Sequence, residues 1–374
     1  DTIVTYSVAF SESHPEIQRM KKLGLKIKKY NEIGGDIVDM FETIGVSGTH
    51  GKTTTSSLIR HILEDSVGCN YFIGAGDGYA DKKNKYFVLE SDEFNRHFLA
   101  YHPAYSIITN IEREHLEIYK DIDDIRTTFE KFESQTKKKI VACGDNKEIR
   151  KIHFNDNVIF YGFNDNNDVV IRNEKLGENG SSFDLYINNE LFDSFEVPLY
   201  GEHMVLNTAA AITMCRELGI PINSIKNSLK TFHNAERRFQ IEEVGTTTII
   251  DDYAHHPTEI KVTLEGVRQK YPDRKIVVVF KPNTYSRTKD FTEEFASALN
   301  IADKVFLTEI DCNREKQEDY PGVSSSLITE KIKDAEILDE KNPIVLKNYS
   351  GDVICFMSCA SVSHLIDKVR EIIK

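Results

Sequence analysis

The sequence predicts an α/β protein with two parallel-sheet regions in succession, on three observations. Short runs of β-branched and aromatic residues alternate with helical patterns over most of the 374 residues, the arrangement expected of parallel strands joined by crossover helices. That length accommodates two or three domains and more than one buried core. The alternation is interrupted once, over 168–198, by short stretches broken at Gly177, Gly180 and the Asn188-Asn189 pair, a pattern of antiparallel hairpins at the edge of the parallel core.

Taken in order, residues 1–44, with SHPEIQRMKKLGLKI, read as one helix and one strand of a further α/β unit, too few to bury a core alone. Strands are predicted near 43–47, 86–91, 105–110, 138–143 and 158–162. Between them, 53–64 and 123–134 carry apolar residues at three- and four-residue spacing and read as amphipathic helices. A second run starts after Arg238, with strands at 247–251, 275–280, 304–308 and 353–357, each followed by a helical pattern. This sets a boundary near Ala235.

Composition removes several classes of function. Lys and Arg number 47 against 60 Asp and Glu, a formal charge of −13, so a broad nucleic-acid surface is excluded and any anionic ligand needs a local site. With 40% hydrophobic and 29% charged residues the chain is an ordinary globular one, and no apolar run reaches the ~18 residues of a membrane span. The six cysteines form no C-x-x-C pair, which argues against a zinc ribbon or disulfide framework and for reduced thiols in a cytoplasmic protein. The opening DTIVTYSVAF has neither a basic n-region nor an apolar h-region.

Chemistry is concentrated first in TIGVSGTHGKTTTSSLIRHIL, a Gly-rich turn between an apolar strand and an amphipathic helix, the context of a phosphate-binding loop. Gly48 and Gly51 let backbone N–H groups approach phosphate oxygens, Lys52 reaches the β- and γ-phosphates, and the Thr53 hydroxyl is placed for Mg²⁺. The strict G-x-x-x-x-G-K-[ST] pattern fails because position 46 is Val. The shorter G-T-H-G-K-T-T, residues 48–54, resembles the loop of the ATP-dependent Mur ligases and their folylpolyglutamate synthetase relatives.

That resemblance implies a P-loop-type central parallel-sheet domain over 45–235, carrying the antiparallel edge, and a Rossmann-like α/β domain over 236–374. Residues 1–44 would be the remnant of an N-terminal UDP-sugar-binding domain. It implies ATP with Mg²⁺ as cofactors, with Gly48, Thr49, His50, Gly51, Lys52, Thr53 and Thr54 at the phosphates. Two further stretches follow in the expected order. In VLESDEFNRHFLAYHPAYSIITNIEREHLEIY, Glu90 ends one strand and His115 follows the next. Both would lie at the carboxyl ends of parallel strands, where ligands gather. The family uses a Glu and a His at this separation as Mg²⁺ ligands, so Thr53, Glu90 and His115 form the implied metal set. Asn110 and Glu112 support the same site. Taken singly, Glu90, Asp92 and Glu93 read equally well as a solvated strand end.

The run YGEHMVLNTAAAITMCREL is similar to the family's adenine-side helix: His203 and Asn207 match, and Met204 stands where an Asn is usual. Then come AERRFQ, with Arg238 implied at the nucleotide and in catalysis, and TTTIIDDYAHHPTEIKVTL, which gathers Asp251, Asp252, Tyr253, His255 and His256 before a Pro-started helix. Zinc is disfavoured there, since adjacent histidines diverge and no third ligand has the spacing. Asp252 is implied at the cofactor and His255 in catalysis. D-D-Y-A-H-H-P-T-E and FKPNTYSRTKDF resemble the family members that attach L-alanine to UDP-N-acetylmuramate. Arg287 matches there as a carboxylate or phosphate fork, and Asn283 replaces a usual His. In GDVICFMSCASV, residues 358–361 lack the glycines usual at that turn, which predicts restricted torsions.

The function implied is an ATP-dependent ligase acting on two small molecules, UDP-N-acetylmuramate and L-alanine, through an acyl phosphate, for peptidoglycan precursor synthesis. Neither nucleic-acid binding nor membrane insertion is expected, and the oligomeric state is left open. A Mur-like ligase with another amine, or a noncatalytic nucleotide-binding homologue, are the alternatives.

Overall fold

The computed structural model describes residues 3–7, 10–74, 76–115, 118–312 and 315–373. Residues 1–174, 183–196 and 206–232 form one compact unit, and residues 175–182, 197–205 and 233–374 a second. The chain opens with β1 (Ile3–Tyr6), α1 (Pro15–Lys22), β2 (Lys26–Lys29) and α2 (Tyr30–Val38). These are two strands and two helices, against the one of each expected from sequence: β1 and β2 pair in parallel as a separate two-stranded sheet. The Gly34-Gly35 pair inside α2 has a packing reason. A Cβ on Gly35 would lie 2.5 Å from the Ala100 carbonyl oxygen, so only glycine permits that approach.

The central region runs β3 (Glu42–Ser47), α3 (Lys52–Glu64), β4 (Cys69–Ile73), β5 (Asp77–Tyr79), β6 (Tyr86–Glu90), β7 (Tyr105–Ile108), α4 (Ile122–Ser134), β8 (Lys139–Cys143) and β9 (Val158–Gly162). It ends in β10 (Val169–Gly177), β11 (Gly180–Ile187), β12 (Glu190–Val197), α5 (Glu202–Glu217) and α6 (Ile222–Lys230). Among the described residues these strands make one sheet, in the order β12-β11-β10-β9-β8-β7-β3-β6-β4-β5. β3 lies between β6 and β7 and is parallel to both. The chain therefore departs from β3 in one direction and returns on its other side, which makes the carboxyl end of β3 a switch point where an open α/β sheet binds its ligand. All of β3 except Glu42 is buried, as a strand covered on both faces must be.

The last region contains β13 (Gln240–Val244), β14 (Thr247–Asp252), α7 (Pro257–Lys270), β15 (Ile276–Phe280), α8 (Tyr285–Asp290), α9 (Thr292–Leu299) and β16 (Lys304–Leu307). α10 (Ser326–Thr329), β17 (Glu336–Ile337), β18 (Val353–Met357) and α11 (Ser363–Ile373) complete it. The sheet order is β13-β14-β18-β15-β16-β17, with only β13 antiparallel to its neighbour. Alternate residues of its strands face two cores: Ile250, Val278, Phe280, Cys355 and Met357 enter one, while Ile249, Val277, Val279, Ile354 and Phe356 enter the other. The β13 edge was not expected from sequence, because QIEEV has no β-branched run to announce it. None of the described helices is long and apolar enough to cross a membrane, and all six cysteines are free thiols.

Candidate active site

The loop between β3 and α3 is built by close approach. Gly48 has φ 134° and Gly51 φ 81°, and a Cβ would fall 2.0 Å from Thr109 Oγ1 at Gly48 and 2.6 Å from Asn207 Oδ1 at Gly51. Both positions therefore demand glycine on torsional and steric grounds. The rest of the loop is fastened to the end of β7. Thr49 N–H donates to the Asn110 carbonyl at 3.0 Å, and Thr49 Oγ1 accepts from Glu112 N–H at 2.9 Å. Asn110 grips His50 twice, its Oδ1 accepting from His50 N–H at 2.9 Å and its Nδ2 donating to His50 O at 3.0 Å. Asn110, expected at the cofactor, is thus a brace of the loop. Asn207 packs on Gly51, Thr54 is buried in the first turn of α3, and the His50 ring lies 3.5 Å from the Glu112 carboxylate.

Lys52 Nζ donates to Gly48 O at 2.6 Å, Thr49 O at 3.1 Å and Glu93 Oε2 at 2.8 Å, which uses all three ammonium protons. Burial pulls its pKa down, but the carboxylates of Glu93, Asp92 and Glu90 outweigh that and hold it above the usual lysine value. Thr53 Oγ1 stands 3.0 Å from both oxygens of Glu90, whose Oε2 also accepts from Gly74 N–H at 2.8 Å. His115 has φ 54°. Its Nε2 is 3.7 Å from Glu93 Oε1, and ligand atoms of Asp92, Glu93 and His115 all lie within 4.8 Å of one another. Lys52, Thr53, Glu90 and His115 thus meet at one end of the sheet, one acid arriving from β6 and the imidazole following β7. A hydroxyl and a carboxylate beside a second carboxylate–imidazole group form a donor set that suits Mg²⁺, a hard cation that takes oxygen ligands.

Glu93 is the site residue that the sequence reading left among solvated acids. It is 2% exposed, and its proximity to Lys52 arises from a turn after β6 that no pattern in ESDEFN announces. Gly74 was missed for the same reason: its contribution is a backbone N–H.

The carboxyl end of the second sheet holds the other expected residues. Asp252, expected at the cofactor, is buried and accepts from Phe239 N–H at 2.7 Å, Ala254 N–H at 2.8 Å and Thr263 Oγ1 at 3.2 Å, and burial pushes its carboxyl upward. It fastens the turn that presents Arg238, whose guanidinium lies 4.8 Å from the Tyr253 ring centroid. His255 Nδ1 is 3.0 Å from both Tyr253 O and Glu259 Oε2, two acceptors that place the proton on that nitrogen. His256 caps α7, with Pro257 at its first position. Arg287 Nη1 donates to Asn283 Oδ1 at 2.7 Å. His203, in the first turn of α5, packs on Gly201, where a Cβ would fall 2.7 Å from its ring.

The turn 358–361, whose lack of glycine predicts restricted torsions, has no residue with a positive φ. Ser358 Oγ donates to Lys281 O and accepts from Ala360 N–H, and Arg237 Nη2 donates to the carbonyls of Ser358 and Ala360 at 2.6 and 2.9 Å. A serine turn tied by arginine replaces a glycine turn.

A phosphate loop at a switch point, with lysine, hydroxyl and carboxylate converging on it, is an arrangement used by nucleotide-dependent phosphoryl-transfer enzymes. The family comparisons narrow this. The family model of the Mur ligase middle domain matches residues 46–215, and that of the Mur ligase glutamate ligase domain matches 237–359. The chain belongs to the Mur ligase family, a family of ATP-dependent amide ligases. Among solved structures it is similar to the UDP-N-acetylmuramate–alanine ligase MurC of Thermotoga maritima, at 24% identity and a TM-score of 0.79, over 99% of this chain and 84% of that one. It is also similar to the MurF ligase of Thermotoga maritima in complex with ADP (20%, TM-score 0.74, 99% and 94%). A third is the murein peptide ligase of Psychrobacter arcticus (21%, TM-score 0.67, 99% and 85%). At such identities the likeness is one of fold.

Proposed function

We propose that this chain is the ligase that joins L-alanine to the carboxylate of UDP-N-acetylmuramate, using ATP, in cytoplasmic peptidoglycan precursor synthesis. The reading rests above all on the meeting of Lys52, Thr53, Glu90 and His115 beside the loop 48–51. Residues 45–235 are assigned to ATP, 236–374 to the amine and 1–44 to the UDP-sugar.

A carboxylate resists amine attack, so its oxygen first takes the γ-phosphoryl group, releasing ADP. The amine then attacks the acyl carbon, and phosphate leaves as the amide forms. Transfer between two anions requires charge neutralisation. Lys52, held beside the loop by Glu93, supplies it, and N–H groups at the start of α3 bind the same oxygens. Thr53, Glu90 and His115 would hold Mg²⁺, which supplies further positive charge at the phosphates when bound. In the last domain Arg238 is assigned to nucleotide phosphate and Arg287, bonded to Asn283, to the amino acid's carboxylate. His203 and Asn207 serve the adenine side of the site.

The decisive measurement is phosphate release with ATP, UDP-N-acetylmuramate and L-alanine. Release that requires both co-substrates is expected, and none with any amine would leave a noncatalytic homologue. A second reading, a ligase for a different amine, is favoured by Asn283 and by the likeness to a murein peptide ligase. Competition among alanine, glycine, serine and a tripeptide decides between the two.

A further inference from the structure

The turn that delivers Glu93 is strained. Asn95 (φ 55°, ψ 23°) and Arg96 (φ 58°, ψ 27°) are consecutive non-glycine residues in the left-handed region, a conformation that persists only where the surroundings enforce it. The enforcement comes from Arg96 itself. Its Nη2 donates to both oxygens of Asp124, at 3.0 and 2.9 Å, its Nη1 donates to Thr128 Oγ1, and its guanidinium lies 4.8 Å from the Tyr119 ring centroid. Asp124 and Thr128 belong to α4, a helix already fixed by its Asp121 cap. The turn is also held from the other side: the Glu93 carbonyl accepts from Arg96 N–H at 2.9 Å and from Tyr119 Oη at 2.5 Å.

We propose that Arg96 is a positioning residue of the site: its fork on Asp124 and its stacking on Tyr119 hold the 92–96 turn in its left-handed form, so that the Glu93 carboxylate stays between Lys52 and His115. The proposal rests on the ligase reading for what the site does, but the latch itself depends only on this chain's geometry. A planar guanidinium whose two terminal nitrogens hold different partners on one helix, Asp124 and Thr128, fixes direction as well as distance, and a small misplacement of a charged group near a transferring phosphoryl group costs rate steeply. A lysine at 96 would keep the charge and lose the fork.

Three variants separate latch from strain. Arg96→Gly tolerates the left-handed torsion but removes the fork, Arg96→Lys removes only the fork, and Asn95→Gly removes only strain. ADP affinity is measured by calorimetry with and without Mg²⁺, alongside melting temperature and turnover. Arg96→Gly and Arg96→Lys are expected to lose at least about fivefold of the Mg²⁺ enhancement of ADP affinity, with metal-free affinity unchanged, and to lower kcat about tenfold at a KM for ATP within twofold. Asn95→Gly is expected to melt higher and turn over as the wild type does. Wild-type Mg²⁺ enhancement in Arg96→Gly overturns the proposal, as does a loss that merely tracks the folded fraction. A wild type that shows the Mg²⁺ effect and loses it in Arg96→Gly, yet forms no amide, supports the latch and sinks the ligase reading alone.

Discussion

The carboxyl ends of the two parallel sheets solve opposite problems with the same residue types. Beside β3, carboxylates are the working groups and the rest of the structure serves them: Glu90 is oriented by Thr53 and Gly74, and Glu93 by Lys52 and its turn. Beside β14, carboxylates serve the arginines. Asp251 lies 3.3 Å from Arg237 Nε, and Asp252 ties down the backbone on either side of Arg238. On the proposed reading, one end would take a cation with the phosphates and the other would present fixed positive charge to anions. The difference teaches that an acid at a strand's carboxyl end is not by itself a ligand. Asp252 spends its oxygens on the backbone on either side of Arg238 and on Thr263, whereas Glu90 and Glu93 stand beside the loop's own hydroxyl and ammonium.

The largest effect expected at the first end follows replacement of Lys52. Lys52→Ala should lower turnover in the phosphate-release assay by about 10²–10³ or more, the scale of losing one preorganised charge on a developing anion. It also leaves Glu93 buried without its cation, a loss of about 3–5 kcal/mol readable as a lower denaturation midpoint. Adding Glu93→Gln should restore most of that stability and none of the turnover. Turnover at wild-type level in Lys52→Ala would remove the phosphate role of the loop. Gly51→Ala comes next. The new Cβ meets Asn207 at 2.6 Å on a left-handed torsion, and ADP affinity should fall about tenfold or more. Asn207→Ala in the same chain relieves the clash but not the torsion, worth about 1–2 kcal/mol, so the double variant should recover part of the loss relative to Asn207→Ala alone.

Much of the first end was legible in the sequence because its parts are local or periodic. The strands near 43–47, 86–91, 105–110, 138–143 and 158–162 are present within a residue or two, as is the hairpin edge after Asp168. Gly48, Gly51, Lys52 and Thr53 lie in one uninterrupted motif. The site's remaining partners were not legible because they are supplied by backbone or by irregular turns. Gly74 acts through an N–H, Glu93 through a left-handed turn, and Asn110 through a grip on His50 that its T-N-I-E setting leaves ambiguous. At the second end, sequence shows Asp252 as an acid at a strand end but not the amides of Phe239 and Ala254 that its oxygens accept from.

A smaller effect separates stability from chemistry at the first end. Glu133, on α4, is 2% exposed and accepts from Ser47 and Ser106. Burial pushes its carboxyl up to about 7, against the pull of those two hydroxyls. A carboxyl whose folded pKa exceeds its unfolded one binds more protons when folded, so its contribution is complete below about pH 4.5 and is lost as pH rises through 7. The loss approaches about 3 kcal/mol at alkaline pH. Glu133→Gln should flatten the fall in denaturation midpoint between pH 5 and 8, and an unchanged slope would show the carboxyl to be ionised throughout.

The smallest effect tests the second end. Arg287 Nη1 donates at 2.7 Å to Oδ1 of Asn283, a residue four positions earlier that precedes α8. Asn283→Ala leaves the charge and removes one of the contacts that steady the guanidinium, so up to about 0.5–1.5 kcal/mol of ordering is added to the cost of binding a carboxylate. The expected result is a KM for the amino acid raised about two- to tenfold with the KM for ATP unchanged. Arg287→Lys, which keeps the charge without the fork, should do the same or more. If Asn283→Ala instead raises the KM for ATP, Arg287 belongs with the nucleotide, and the contrast between a cation-holding end and an amine-holding end has to be redrawn.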